Sequence, residues 1–434
     1  MSEGKLITSA PRRFVKLGGL VGRVGASLVG ERLRDFARSD FDKKIRKTES
    51  LVKNATRIVE TLGEMRGAAM KVGQMLSLHE GLLPPEVAEI LRTLQRKAPA
   101  VPFEVIEGEI QSQVSGYRDL FAHLEPEAFA AASIGQVHRA QLRDGRQVAV
   151  KIQYPAIDHI IKADLKNLRT VFQSLFALFS EIDFEPMWVE VRDRLLEEID
   201  YEQEADNMRR MAQLHADVPE IVVPEVVEEA SAHGVLTMEY VEGIPPERAC
   251  SDEYSQELKN RWGYVLLELQ LRGLFQHRFL HADPNLSNFA FLEDGRVVVY
   301  DFGCVKQPPE ALAAGYAGVW RAALEGRGRD IPEILFAMGV SKDGRPLPLE
   351  LVEPYVEIFG EILREDPPYT FGEDEDLYQK LISLGMSNFS QARDIGFPRD
   401  VLFIDRALGG HFGNLSKLRA TGPWRDLVAK YVVS

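Results

Sequence analysis

The fold is decided by the stretch Phe279-Leu280-His281-Ala282-Asp283-Pro284-Asn285-Leu286-Ser287-Asn288, read together with Asp301-Phe302-Gly303. Asp283 and Asn288 are separated by four residues, and Asp301 ends a short β-rich run. Carboxylate and amide oxygens are ligands that Mg²⁺ accepts, and substrate phosphates commonly complete its shell. The spacing therefore predicts Asn288 and Asp301 as metal ligands. It predicts Asp283 as a base, or as the residue that orients a nucleophile.

Two further chemical groups lie upstream in a fixed order. Val148-Ala149-Val150-Lys151 places a lysine at the end of a predicted strand, where it can hold the α- and β-phosphates of ATP. Glu204 lies on the acidic helix that follows and can pair with Lys151. Taken singly, Lys151 is typical of a solvated strand end and Glu204 of a helix surface. Together, in this order, the four elements predict a two-lobed protein-kinase-like fold that binds ATP and Mg²⁺ between its lobes.

The hydrophobic pattern predicts an α+β chain in three parts. Residues 1–115 lack strand-like alternation and are predicted to be a helical extension. Residues 116–241 are predicted to be a small β-rich lobe with an inserted helix, and residues 242–434 a large helical lobe. Glu239 and Val241, in the connector between the lobes, are further nucleotide-binding candidates.

Individual elements follow from turn signals and periodicity. Alternating runs flank Asp144-Gly145 and Asp294-Gly295, so we predict a hairpin at each. The strand runs are 137–142, 147–152, 221–227, 234–240, 289–292 and 297–301, and the helices of this region are 160–179 and 188–215.

Composition excludes several classes of protein. The 434 residues are 45% hydrophobic and 27% charged, with a net charge of −14, so we expect no nucleic-acid partner. The two cysteines, Cys250 and Cys304, form no C-x-x-C pair, which excludes a disulfide framework and a zinc knuckle. No uncharged apolar run approaches the roughly 20 residues of a membrane span. Arg23 interrupts the apolar stretch near the start, so we expect a cytoplasmic protein.

Residues 17–36 mix apolar side chains with arginines. This mixture predicts peripheral contact with the inner face of an anionic membrane. The alternative is a helix packed against the kinase lobes, and five glycines weaken any free helix here.

Two features depart from an ordinary protein kinase. An alanine-rich loop precedes Lys151 in place of a glycine-rich one, and alanine resists the positive φ that lets such a loop approach phosphates. After Gly303, only four residues precede Pro308-Pro309-Glu310 and the next helix, whereas a peptide platform needs about twenty or more. The nucleotide-binding candidates in the loop are Ala130, Ala131, Ala132, Ser133, Gly135 and Gln136.

His281 has two interpretations. His277 lies four residues earlier, which is metal-ligand spacing on a continuous helix, but no glutamate accompanies the pair. We favour a structural histidine that precedes the catalytic aspartate. Cys304 likewise fits a small buried residue better than a redox centre.

The sequence resembles the UbiB/AarF family of atypical kinases, which includes mitochondrial kinase-like proteins that support ubiquinone biosynthesis. That family carries K-x-G-Q and E-x-D motifs and an alanine-rich loop, together with the kinase lysine, D-x4-N and D-F-G. The likeness covers residues 50 to 420 or so. The matching positions are Lys71, Gly73, Gln74, Ala130 to Gln136, Lys151, Glu198, Asp200, Glu204, Asp283, Asn288 and Asp301.

The resemblance implies a regulatory set made of Lys71, Gln74, Glu198 and Asp200, in which the K-x-G-Q helix folds over the active site and Lys71 meets Glu198. Glu198 and Asp200 lie about 200° apart on a continuous helix, so both face one site only if the helix begins or bends between them. Asn285, Leu286 and Ser287 replace the histidine, proline and glycine usual in the family, which alters the loop between the metal-ligand positions.

The resemblance also implies ATPase activity or lipid-related phosphotransfer, with a quinone precursor or a lipid as ligand and a role in quinone or lipid homeostasis. Two other functions stay open. A small-molecule kinase also lacks a peptide platform. A nucleotide-gated binding protein would use ATP to switch a partner surface, and the altered catalytic loop is compatible with it.

Overall fold

The computed structural model describes residues 101–132, 134–159, 184–373, 395–396 and 398–433, together with positions 161, 162, 165, 169 and 173. Several predictions fall outside these residues. They concern the extension with Lys71 and Gln74, the segment 17–36, Ser133, and nearly all of the predicted helix 160–179.

Eleven helices and eleven strands have both of their ends within the described residues, and further helical residues lie between positions 157 and 173. In chain order these are α1 (Phe103–Gln113), α2 (Tyr117–Leu120), β1 (Phe121–Ala131), β2 (Gly135–Leu142), β3 (Gln147–Gln153), α3 (Phe184–Glu198), α4 (Tyr201–Leu214), β4 (Ile221–Val222), β5 (Val235–Glu239), α5 (Pro246–Ala249), α6 (Gln256–Leu271), β6 (Leu280–His281), β7 (Phe289–Phe291), β8 (Val297–Val299), β9 (Val305–Lys306), α7 (Glu310–Leu324), α8 (Ile331–Ala337), β10 (Ser341–Lys342), α9 (Leu349–Ile362), β11 (Ile395–Gly396), α10 (Arg399–Leu418) and α11 (Trp424–Val432). Short 3₁₀ turns and one π-helical turn, Arg272–Gln276, connect some of them.

The chain divides into two compact units. The first contains the described residues up to Glu202 and Val227–Met238, and the second contains Gln203–Val226 and the residues from Glu239 onward. The lobe boundaries expected at residues 116 and 242 stay predictions.

The first unit is built on a four-stranded sheet in the order β1-β2-β3-β5. The predicted hairpin at Asp144-Gly145 is confirmed: β2 and β3 pair antiparallel, and Gly145 adopts the φ of +95° that the turn requires. Ile106 and Ile110 of α1 are fully buried in one core with the β3 side chains Val150 and Ile152. This sheet carries Lys151 on a rigid strand.

Strand β1 is not among the strands that the sequence predicts. The first predicted strand run begins at residue 137, whereas β1 covers Phe121–Ala131. It is an edge strand with Pro126 inside it, and its pairing with β2 is interrupted by register shifts. An edge strand tolerates a proline and does not need strict alternation, so the usual pattern is missing.

The predicted helix 188–215 is two helices, α3 and α4, which is a correction to the sequence analysis. Between them, the carbonyl of Ile199 accepts a hydrogen bond from Gln153 Nε2 at 2.8 Å instead of continuing a helical ladder. Glu198 is the last residue of α3, and Asp200 lies in the break. The chain therefore ends one helix and begins another between the two acidic positions, so the 200° separation on a continuous helix does not apply.

The second unit is mainly helical. β7 and β8 pair antiparallel, as predicted for the turn at Asp294-Gly295, and β4 adds to β8 in parallel. β6 pairs with β9. One core cluster joins Leu280 and Ala282 with Tyr316 of α7 and Leu408 of α10. No helix in the described part of the chain is long and apolar enough to span a bilayer.

Candidate active site

In the first unit, the alanine-rich loop is closed without a positive φ among its described residues. Ala130 and Ala131 end β1, and the amide of Ala132 donates to the carbonyl of Gly135 at 3.1 Å. A Cβ added to Gly135 would lie 2.1 Å from the carbonyl oxygen of Ile152 on β3. Glycine is therefore required here because another backbone approaches closely.

Gln136 is 3% exposed and its amide is held within the same unit. Its Oε1 accepts from the amide of Val101 at 2.6 Å, and its Nε2 lies 3.2 Å from His138 Nε2. His138 Nδ1 in turn lies 2.8 Å from the carbonyl oxygen of Glu125 on β1. These contacts fix the base of the loop, and a nucleotide contact for Gln136 stays a prediction.

Lys151 lies opposite Val137 on β2. Its Nζ sits 5.0 Å from the ring centroid of Tyr201, which is 1% exposed. A cation over a desolvated aromatic face is favourable, so the ring supports the lysine side chain. The pairing of Lys151 with Glu204 stays a prediction.

In the second unit, the backbone of Asp301-Phe302-Gly303 is held from both sides. His281 Nε2 lies 2.8 Å from the carbonyl oxygen of Asp301, and the amide of Ala282 donates to the carbonyl of Cys304 at 2.9 Å. His281 is 1% exposed, so this contact gives it the structural role predicted from the sequence. Cys304 is buried, as expected.

Helix α4 holds Phe302. Glu204 Oε1 accepts from the amide of Phe302 at 3.4 Å, and Asn207 Nδ2 donates to its carbonyl at 2.9 Å. Glu204 is 2% exposed and Phe302 is fully buried. Asn207 was not predicted from the sequence, although its position three residues after Glu204, on the same helix face, is a signal that could have identified it.

The two predicted metal-ligand residues lie at the open end of the β7–β8 hairpin. The strand register pairs Phe289 with Val299. Just beyond this pair, the amide of Tyr300 donates a hydrogen bond to the carbonyl of Asn288 at 2.9 Å. Asp301 follows directly, and its Oδ1 accepts from the amide of Gly303 at 3.1 Å. The hairpin thus brings Asn288 and Asp301 together.

Tyr300 is a second residue that the sequence did not single out. Its hydroxyl donates to the carbonyl of Val241 at 2.7 Å. Burial raises the pKa of Tyr300 to about 12, with Tyr240 and Glu242 acting in the same direction. The phenol therefore stays protonated and fixes the backbone of the predicted nucleotide-binding residue Val241, while the amide of Glu239 donates to the carbonyl of Glu225 at 2.8 Å.

The loop from Asp283 to Asn288, which is the predicted catalytic loop, contains two successive turns closed by side chains. Asp283 Oδ1 accepts from the amide of Asn285 at 3.1 Å, and Asn285 Oδ1 accepts from the amide of Ser287 at 3.2 Å. The amide of Asn288 closes a 3₁₀ turn onto the carbonyl of Asn285 at 3.0 Å. Asparagine readily forms such turns, so the replaced residues build a defined loop.

The donor set can be tested against Mg²⁺. Among the described residues, no group of three or more histidine, cysteine or acidic side chains could hold a metal. One carboxylate, from Asp301, and one amide, from Asn288, match the way Mg²⁺ is usually held, by one or two protein oxygens plus substrate phosphates and water. The residues present fit Mg²⁺ bound together with a nucleotide.

Sequence comparison gives relatives across the chain. The profile of the ABC1 atypical kinase-like domain matches residues 93–335. "Atypical kinase coq-8, mitochondrial" of Caenorhabditis elegans is 33% identical over 99% of this chain and 57% of the relative. "Atypical kinase COQ8B, mitochondrial" of Danio rerio is 33% identical over 98% of this chain and 69% of the relative. The chain therefore spans little more than half the length of the C. elegans relative.

A solved structure agrees with these relatives. The complex of Rv3197 with erythromycin from Mycobacterium tuberculosis superposes with a TM-score of 0.65 at 29% identity, over 90% of this chain and 98% of that one. The α+β, protein-kinase-like fold class predicted from the sequence is thereby confirmed, as is the resemblance read from the motifs. The chain belongs to the ABC1 atypical kinase-like family, and it is an atypical kinase-like protein rather than an ordinary protein kinase.

Proposed function

We propose that this protein binds Mg-ATP and transfers its terminal phosphoryl group to a small molecule, a lipid or water. The observation that carries the proposal is the fixed backbone of Asp301-Phe302-Gly303, held by His281 on one side and by Glu204 and Asn207 on the other. Phosphoryl transfer depends mainly on positioning and electrostatics, and a rigid carboxylate supplies both.

Each predicted residue has a role in this proposal. Lys151 binds the phosphates, and Glu204 orients Lys151 as well as Phe302. The loop of Ala130 to Gln136 covers the nucleotide, and Glu239 with Val241 contacts it at the connector. Asp283 orients the attacking hydroxyl or water, or accepts its proton.

Asn288 and Asp301 would hold Mg²⁺, which neutralises charge on the phosphates. Asn288 is 9% exposed, so most of its side chain is enclosed by protein before a nucleotide binds. The backbone bond from Tyr300 to Asn288 keeps the two ligand-bearing strand ends in register. These residues therefore need little reorganisation when a nucleotide arrives.

The acceptor is proposed to be a small molecule, a lipid or water because the peptide platform is missing. Only Cys304 to Gln307 separate Gly303 from the prolines ahead of α7, and β9 within this segment is paired to β6. A further obstacle is proposed in the extension, where Lys71 and Gln74 would cover the site through a Lys71–Glu198 pair and Asp200.

The pathway is proposed from the relatives. Proteins named COQ8B and coq-8 are among them, and the family resemblance connects these to ubiquinone biosynthesis. We therefore propose a quinone precursor or a lipid as the ligand, with peripheral contact at a membrane through residues 17–36.

The test is stabilisation of the protein by Mg-ATP. A ligand at about 100 times its Kd stabilises the folded state by about 2.7 kcal/mol, so the unfolding temperature of the wild type should rise. Asp301→Asn should lose most of that shift, because the metal loses its carboxylate. Asp294→Asn is the matched control, since Asp294 is an aspartate in the neighbouring hairpin turn and should leave the shift intact. An equal shift in Asp301→Asn and the wild type would refute the assignment.

A second candidate is a nucleotide-gated binding protein with little turnover. The observation in its favour is that the M. tuberculosis relative was solved with erythromycin bound. This candidate predicts that Mg-ATP changes the affinity for a bulky apolar ligand while phosphate release stays at background. Phosphate release that rises on addition of a phenolic or lipid acceptor favours the first function instead.

A further inference from the structure

Helix α10 contacts the catalytic loop from a distant part of the sequence. The ABC1 domain match ends at residue 335, whereas α10 covers Arg399–Leu418. Three of its residues, Gly410, His411 and Asn414, fall within one turn of each other and lie on the side of the helix that meets the loop. Each makes a different kind of contact.

Gly410 allows the helix to approach Pro284, the residue after Asp283. A Cβ added to Gly410 would lie 2.4 Å from Cγ and 2.5 Å from Cβ of Pro284. The backbone of Gly410 is helical, so φ does not require glycine here. Glycine is unfavourable inside a helix, and what it provides at this position is space for the proline ring.

Asn414 fixes the backbone at the same point. Its Nδ2 donates to the carbonyl oxygen of Pro284 at 2.8 Å, and the side chain is 2% exposed. Because the donor is buried, removing it leaves the Pro284 carbonyl without this bond and costs more than the loss of an exposed bond.

His411 packs against the residues that flank the loop. It is 1% exposed, and its ring centroid lies 6.2 Å from that of His281 and 5.8 Å from that of Phe289. His281 lies just before the loop in the sequence, and Phe289 lies just after it. The helix therefore contacts both ends of the loop as well as Pro284 near its start.

The bonds inside the loop are less protected than these contacts. Asn285 and Ser287, whose amides donate in the two side-chain turns, are exposed, so water competes for these hydrogen bonds. Apart from α10, the segment between Asp283 and Asn288 is held by these local bonds, by the buried side chain of Leu286 and, at its far end, by the bond from the amide of Tyr300 to the carbonyl of Asn288.

We propose that α10 is a positioning element for catalysis. Asn414, by holding the carbonyl of Pro284, fixes the backbone next to Asp283 and thereby orients both Asp283 and Asn288. Gly410 supplies the close approach, and His411 fills the space between the loop ends. Asn414 acts through the loop and touches no substrate. The inference rests on the proposed Mg-ATP turnover for its kinetic readout only.

The experiment compares Asn414→Ala with Asn260→Ala in the full chain. Asn260 is the matched control because its Oδ1 accepts from the amide of Thr421 at 2.9 Å, another contact between distant segments, but away from the loop. We expect both variants to lose thermal stability. Only Asn414→Ala should lower kcat for ATP, by about 10- to 100-fold, with KM within about twofold of the wild type. Asn414→Gln, which keeps a donor, should recover part of kcat.

A second readout does not depend on activity. Amide hydrogen exchange of the peptide covering residues 283–288 should speed up about tenfold in Asn414→Ala and stay at the wild-type rate in Asn260→Ala. Unchanged exchange in Asn414→Ala would overturn the inference, as would equal losses of kcat in the two variants. If the wild type binds and hydrolyses no ATP, the proposed function fails, and the exchange rates still decide the role of α10.

Discussion

Ala132 is the residue at which the loop between β1 and β2 turns. The hydrogen bond from its backbone amide to the carbonyl of Gly135 closes the loop within three residues. The Cβ of an alanine restricts the backbone to negative φ. A glycine here would widen the range of loop conformations and allow the amides to reach the phosphates.

We expect Ala132→Gly to change nucleotide affinity and to raise autophosphorylation several-fold over a wild type that shows almost none. The measurement is incorporation of radiolabel from Mg-ATP, with Ala128→Gly in the preceding strand β1 as the matched control. Labelling that persists in the double variant with Asp301→Asn would reveal a contaminating kinase. Strong labelling of protein substrates by the wild type would show that the account of a missing peptide platform is wrong.

Asn207 shows what the sequence could and could not predict at this scale. The residue types for metal, phosphate and base follow from spacing, because chemistry restricts them to acids, amides and lysine. The side chains of Asn207 and Tyr300 donate to backbone carbonyls. Every residue has a backbone carbonyl, so the residue type of the partner gives no signal in the sequence. The spacing from Glu204 can suggest Asn207 as a candidate, but the partner of each contact is visible only in the structure.

At the scale of elements, the pairing of β2 and β3 positions Lys151, the proposed phosphate-binding lysine, and this pairing depends on Gly135. A Cβ added to Gly135 would lie 2.1 Å from the carbonyl oxygen of Ile152, so a methyl group here must push two backbone segments apart.

We expect Gly135→Ala to lower the free energy of unfolding by about 1–3 kcal/mol or more. Gly108→Ala is the control, because Gly108 lies exposed in α1 with no atom within 4 Å of the added methyl group. That change should raise the free energy of unfolding by about 0.5–1 kcal/mol. Denaturant titration of both variants measures the difference, and a Gly135→Ala protein as stable as the wild type would contradict the close approach.

The elements found from the sequence were those with strong local signals. The two Asp-Gly hairpins were predicted correctly because the turn fixes the register of its strands. Strand β1 was not predicted, since an edge strand needs no alternation. The break between α3 and α4 was not predicted either, since Gln153, far away in sequence, donates to the carbonyl of Ile199. The role of α10 depends on a contact across more than one hundred residues, so no local pattern indicates it.

At the scale of the whole molecule, buried histidines make stability depend on pH. Burial lowers the pKa of His411 to about 3 and that of His215 to about 4, and it also lowers the pKa of His277. Unfolding returns each to a value near 6.5, so the unfolded state binds more protons below pH 6. Burial raises the pKa of Asp405 to about 6, which has the opposite effect because the folded state then binds the proton.

Between pH 6 and pH 4, the unfolded state therefore binds about one proton more than the folded state, after the opposing effect of Asp405 is subtracted. We expect the free energy of unfolding to fall by about 1.4 kcal/mol per pH unit as pH falls through this window. Asp405→Asn removes the opposing group and should steepen the dependence, whereas His411→Asn should flatten it. Denaturant titrations at half-unit pH steps measure the slopes, and identical slopes in the two variants would contradict the assignment.

The segment after Asp301-Phe302-Gly303 has a consequence for control of the protein. Many protein kinases are switched on when an added phosphate orders a long loop at this place. Here the segment consists of Cys304, Val305, Lys306 and Gln307, none of which carries a hydroxyl group. It is already ordered by strand pairing to β6. A kinase that acts on hydroxyl groups therefore has nothing to modify between Gly303 and Pro308, and the segment is ordered without an added phosphate.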